Sequence, residues 1–120
     1  MQDALKIESR IFSYAIWVYY YALNNNKCRW IEKEDVILTS SFYAYSYAKN
    51  IIKARWPEAE DIISKDARSS YGYAIFIADN INRGKLPEKM HNMMILHAIE
   101  DPNNHYVKSY FEHLNDYIKF

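Results

Sequence analysis

Tyr47-Ala48-Lys49-Asn50-Ile51-Ile52-Lys53-Ala54-Arg55-Trp56-Pro57-Glu58-Ala59-Glu60-Asp61-Ile62-Ile63 decides the fold, because the chain has already written much of it once. Tyr21-Ala22, Arg29-Trp30-Ile31-Glu32 and Glu34-Asp35-Val36-Ile37 precede it at a constant spacing of 26 positions. A third, more divergent copy follows at a spacing of 30, where Ala78, Asn80, Ile81, Lys85, Pro87 and Glu88 answer Ala48, Asn50, Ile51, Arg55, Pro57 and Glu58. Repetition at such a period is the mark of stacked units that each bury one face against the next.

Outward from this stretch the punctuation is helical. The pattern predicts a long first helix from about Ala4 to Asn24, stopped by Asn24-Asn25-Asn26, and a short second helix from near Glu32. Ser40 or Ser41 is placed to cap a third helix reaching about Lys53. Pro57 suits the first position of a fourth, with Glu58, Glu60 and Asp61 at its positive end. Asp66 caps a fifth running to about Asn82, Gly84 ends the connection, and Pro87-Glu88 opens a sixth. Asp101-Pro102 opens a closing helix to about Ile118. The expectation is an all-α fold: a short right-handed stack of about three helix hairpins in a single domain 1–120, with repeats at about 9–39, 40–66 and 67–99 and a capping helix over 101–120.

Small residues recur four apart on the long helices: Val18 and Ala22, Ala44 and Ala48, Ala74 and Ala78. At that spacing they share a face, and small side chains there let neighbouring helices approach closely. Tyr21, Tyr47 and Ile77 are expected to widen this inward stripe, and Ile51 and Ile81 to extend it.

The middle copy, Tyr47 to Glu60, resembles the YA-x-x-[VI]-I-K-G-R-W-P-E-A-E repeats of uncharacterised proteins of bacteriophages and other mobile elements. The first copy departs from the motif at Ile31, and the third at Lys85-Leu86 and Met90. The resemblance covers about two thirds of the chain. It implies an all-helical repeat protein of phage origin, acting in the cytoplasm of a bacterial host, and implies no activity.

Bulk properties bound the function. Fifteen basic and fifteen acidic residues cancel, which argues against a protein that grips nucleic acid mainly through phosphates. The single Cys28 allows no internal disulfide and no CxxC metal site. Flanked by Lys27 and Arg29, it is matched by Ala54 in the next copy, which favours a small structural residue. The longest apolar run, Ile11 to Leu23, is too short to span a bilayer, and no leader pattern opens the chain. No catalytic grouping of Ser, His and Asp, no phosphate-cradling glycine loop and no cofactor is expected. Glu88 and His91 have the i, i+3 spacing of carboxylate-bridged metal bundles, but no second copy accompanies them, and surface histidines are the simpler reading.

Two surfaces remain as candidates. Lys27, Lys53 and Arg83 occupy one repeat position, and Arg29, Arg55 and Lys85 another, both at the hairpin bend. They form either a basic edge for an acidic partner or a ladder of pairs with Glu32, Glu34, Glu58, Glu60 and Glu88. Tyrosine is abundant at twelve residues. If the small stripe faces inward, Tyr20 and Phe76 face away from it, with Leu23, Lys49 and Asp79 beside them. These residues either line an aromatic contact groove or are covered as core.

The expected function is a phage-encoded protein–protein interaction module that binds and inhibits a host protein, such as a component of bacterial defence, in the manner of an anti-CRISPR. Alternatives are a structural, self-assembling accessory protein, including a homodimer, and a weak single-stranded nucleic-acid binder.

Overall fold

The computed structural model describes residues 14–25 and 28–119. The start of the expected first helix and Lys27 lie outside them. The chain divides into two compact units, Met1–Ile62 and Ile63–Phe120.

In the first unit, α1 occupies residues 14–24. Residues Ile31–Lys33 form a 3-10 turn that runs into α2 (Glu34–Ile37). Helix α3 (Ser41–Tyr47) continues as a π-helical segment, Ala48–Ile52. A second 3-10 turn, Pro57–Ala59, opens α4 (Glu60–Ile63), with Pro57 in its first turn as expected. Side chains tie the pieces together: Asn50 Nδ2 donates to the Tyr19 hydroxyl at 2.8 Å, and Ser41 Oγ donates to the Ile62 carbonyl at 2.6 Å.

In the second unit, α5 (Ala67–Phe76) also ends in a π-helical segment, Ile77–Ile81. Strand β1 (Lys85–Leu86), α6 (Glu88–Glu100), α7 (His105–Glu112) and β2 (Ile118–Lys119) complete it. The two short strands pair in parallel, Lys85 with Ile118 and Leu86 with Lys119. Helices α5, α6 and α7 pack on one another around Tyr73, Ile77, Met90, Met94, Val107 and Tyr110, all buried.

The two long helices begin and end alike. Ser40 Oγ accepts from the Tyr43 amide, and Asp66 Oδ2 accepts from the Ser69 amide; each side chain satisfies an amide with no partner inside its helix. At the other end the bonds widen to i, i+5, Lys53 N to Ala48 O and Asn82 N to Ile77 O. Each helix then stops at a left-handed basic residue, Lys53 at φ 58° and Arg83 at φ 55°. The helix starts are 26 positions apart and these left-handed stops 30 apart. The two spacings in the sequence therefore have one cause: the second long helix is about a turn longer.

The small stripe is inward throughout: Val18, Ala22, Ala44, Ala48, Ala74 and Ala78 are all buried. Tyr47, Ile77 and Ile51 join it, whereas Tyr21 at 47% exposure and Ile81 at 37% do not. The closing helix is also corrected. Pro102 lies in a turn, and α7 is capped by Asn104, whose Oδ1 accepts from the amides of Tyr106 and Val107. It ends at Glu112 rather than near Ile118, because the tail leaves to pair with β1; the Ile118 amide donates to the Gly84 carbonyl at 2.9 Å. Gly84 itself takes φ 87°, a conformation without steric cost only for glycine.

Candidate interaction surface

The bend after each repeat is built the same way twice. Trp30 (φ −110°, ψ 78°) and Trp56 (φ −125°, ψ 81°) hold a semi-extended backbone, and their carbonyls accept from Lys33 N and Ala59 N, both at 2.9 Å. Arg29 then clamps Glu34 with two parallel bonds, Nε to Oε2 at 2.8 Å and Nη2 to Oε1 at 2.7 Å. Arg55 clamps Glu60 identically, at 3.1 and 3.0 Å. Such fork-to-fork pairing is among the stronger charge-assisted contacts. Both carboxylates are buried, Glu60 completely.

A third partner completes the first clamp. The Tyr47 hydroxyl donates to Glu34 Oε2 at 2.7 Å and accepts from the Trp30 amide at 2.8 Å. Burial pushes the Glu34 carboxyl up, but the bonds from Arg29 and Tyr47 and the arginine charge more than reverse this, leaving it below the usual carboxylate value. The Tyr47 phenol is raised, by burial first and by its bond to Glu34 second. In the third copy Met90 stands where Glu60 stands in the second. It is fully buried as an apolar core residue, and Lys85 is exposed in β1.

For the basic positions, the ladder reading holds at Arg29 and Arg55. Lys53 and Arg83 are exposed helix stops. An anionic backbone reaching Arg29 or Arg55 would have to compete with a bidentate carboxylate.

Of the two aromatics of the expected contact groove, Tyr20 is exposed and Phe76 is covered as core. Tyr20 is 48% exposed and packs edge-on to Tyr19 and Tyr43, with ring centroids 5.0 and 6.4 Å away. Phe76 is buried, and Ser46 at the intervening position is buried too. Of the flanking residues, Leu23 is half-buried, Lys49 lies 5.9 Å from the Tyr45 ring centroid, and Asp79 accepts from the Tyr117 hydroxyl at 3.4 Å.

A different aromatic surface is present on α1. Tyr14, Trp17 and Tyr21 follow i, i+3, i+7 spacing and stack in a row, with centroids 5.8 and 5.3 Å apart. Trp30 joins them, 5.9 Å from Trp17 and 4.9 Å from Tyr21. Trp17 is 51% exposed and neighbouring Ile31 69%. Lys33 Nζ sits 5.3 Å from the Tyr14 ring centroid, and the Tyr14 hydroxyl and its charge raise the Lys33 pKa. A pocket of about 370 Å³ opens beside Tyr21, lined by Ala22, Asn25, Cys28, Arg29 and Trp30. The spacing of these three aromatics was legible in the sequence; their exposure was hidden because Tyr21 aligns with the buried Tyr47.

Two of the four histidines make contacts within the second unit. His91 Nδ1 lies 2.7 Å from the Tyr110 hydroxyl, linking α6 to α7. His97 Nε2 donates to the Ser64 carbonyl at 2.7 Å and lies 3.2 Å from Ser70 Oγ. Among the described residues no cluster of three metal-ligating side chains occurs, and no helix is long and apolar enough to cross a membrane.

Comparison with protein-family models, curated proteins and solved structures found no match.

Proposed function

We propose that this chain is a protein–protein interaction module of phage origin that binds and inhibits a protein of its bacterial host, acting in the host cytoplasm, with a defence component of the anti-CRISPR-targeted kind as the sharpest form of the reading. The observation that carries the interaction is the exposed aromatic row Tyr14–Trp17–Tyr21 with Trp30 and Ile31. Large aromatics are the residue types that anchor interfaces, and leaving several of them contiguous and half in water has a free-energy cost that a partner relieves. Phage origin and the host target rest on the resemblance of Tyr47 to Glu60 to the mobile-element repeats.

The same reading takes the chain as a right-handed stack of about three hairpins. Its support is the module built alike twice: similar Trp backbone geometry, a bidentate arginine clamp in each, and a left-handed basic residue at the end of each long helix. A repeat array displays its terminal face unless something caps it.

The test is affinity capture of the tagged chain from host lysate, read by mass spectrometry, with size exclusion to weigh the complex. One stoichiometric host protein, retained through gel filtration, is the expected result. Recovery of the chain alone, running as a discrete oligomer, would replace this reading with self-assembly.

A further inference from the structure

Helix α6 turns Met90, Met93 and Met94 into the core of the second unit and leaves its other apolar residues outside. Ile95, Leu96 and Ile99 are all exposed, Leu96 at 63% and Ile99 at 73%, too open to contribute much to the fold. Beside them lies a groove of about 610 Å³ between α6 and α7, walled by Ala98, Pro102, Val107 and Phe111, with Lys108 and Glu112 lining it as well. Ala98 stands three residues after Ile95 on the same side of α6, so groove and exposed stripe adjoin. Phe111 is itself exposed. The groove and a large side chain able to fill it therefore belong to one surface, and leaving such a surface in water has a cost that association removes.

The charges state what fits there. Lys108 and Glu112 are exposed, one turn apart on α7, and neither forms an ion pair with a described residue. One open cation and one open anion at that spacing are their own complement. Turned about a two-fold axis passing between them, α7 meets a second α7 antiparallel, and each Lys108 faces Glu112 of the second copy. An acidic partner surface would be repelled by Glu112, and a basic one by Lys108. With fifteen charges of each sign, the chain also carries no net charge to hold two copies apart.

We propose that the α6–α7 face pairs with a second copy of this chain in an antiparallel, two-fold symmetric dimer. Lys108–Glu112 pairs flank its axis, and Phe111 of each copy fills the groove of the other. Helices of 13 and 8 residues make a small interface, so the dimer is weak and depends on concentration. None of its residues belongs to the aromatic row on α1, and the dimer does not rest on the host-protein reading.

Sedimentation equilibrium of the full chain, under reducing conditions and from micromolar to millimolar concentration, tests it. A monomer–dimer equilibrium is expected. Lys108→Glu and Glu112→Lys should each weaken it about tenfold or more, because each places two like-charged pairs across the axis. Both positions are exposed, so neither change should move the Tm. Mixed together, the two variants should dimerise again, since the acidic α7 of one then meets the basic α7 of the other; the doubly reversed chain should pair with itself. A chain that stays monomeric at millimolar concentration overturns the proposal. So does a dimer indifferent to both reversals, or a mixture that fails to restore pairing. Capture of a host protein by a chain that stays monomeric would keep the interaction reading and discard the dimer; rescue by mixing, with no host protein captured, would do the reverse.

Discussion

Glu34 and Glu60 are the residues on which the repeat depends energetically. Each is a carboxylate removed from water and held by a guanidinium that keeps partial access to solvent, 43% for Arg29 and 37% for Arg55. Removing the arginine of such a pair is costly because the carboxylate that remains cannot return to water, whereas an arginine left by loss of its carboxylate can rehydrate. Arg55→Ala leaves the wholly buried Glu60 behind and should destabilise the chain by about 3 kcal/mol or more in urea unfolding, whereas Glu58→Ala, on an exposed residue, should stay within about 0.5 kcal/mol. Glu34 also sets a pH dependence. Its folded pKa lies below the 4.5 of the free side chain, so the unfolded chain binds the extra proton first. The clamp's contribution is then complete above about pH 4.5 and is lost as pH falls through the folded pKa. Unfolding free energy measured from pH 6 to pH 3 should decline less steeply in Glu34→Gln than in the wild type.

At the scale of elements, the sequence was most readable where chemistry is local. Ser40 and Asp66 cap because a short acceptor side chain precedes a helix; Pro57 opens a turn because its fixed φ suits one. The small stripe was readable from spacing alone, and Ala48 tests it. Ala48 is fully buried, so Ala48→Leu should overpack its surroundings, cost about 1–3 kcal/mol and lower the Tm, while an unchanged Tm would remove Ala48 from a helix contact. What stayed hidden was non-local. Nothing in Tyr117-Ile118-Lys119 announces that it leaves the helical pattern to pair with Lys85-Leu86, since a two-residue strand has no periodicity to detect. The extra turn of α5 was visible only as a change of spacing from 26 to 30, with no sign of where the residues were inserted. The candidate surface was half legible: Arg29 and Arg55 fall on the expected ladder. Phe76 turned out to be core because helix spacing tells which residues share a face but not what lies opposite it.

For the whole molecule, two observations bear on function: the arginine clamp built twice in the repeats, and the exposed aromatic row on α1. The exposed row Tyr14–Trp17–Tyr21 is the feature on which the interaction reading stands or falls, and Trp17 is its centre, stacked on both neighbours and tilted against Trp30. At 51% exposure it contributes little to the core, so its truncation separates binding from folding. The most direct measurement is the affinity of Trp17→Ala for the partner captured from host lysate, by isothermal titration beside the wild type. An interface anchored on this row predicts a loss of about thirtyfold or more, the size of a hot-spot truncation, with a near-unchanged Tm. Undiminished binding by Trp17→Ala would contradict the account and move the interface off α1.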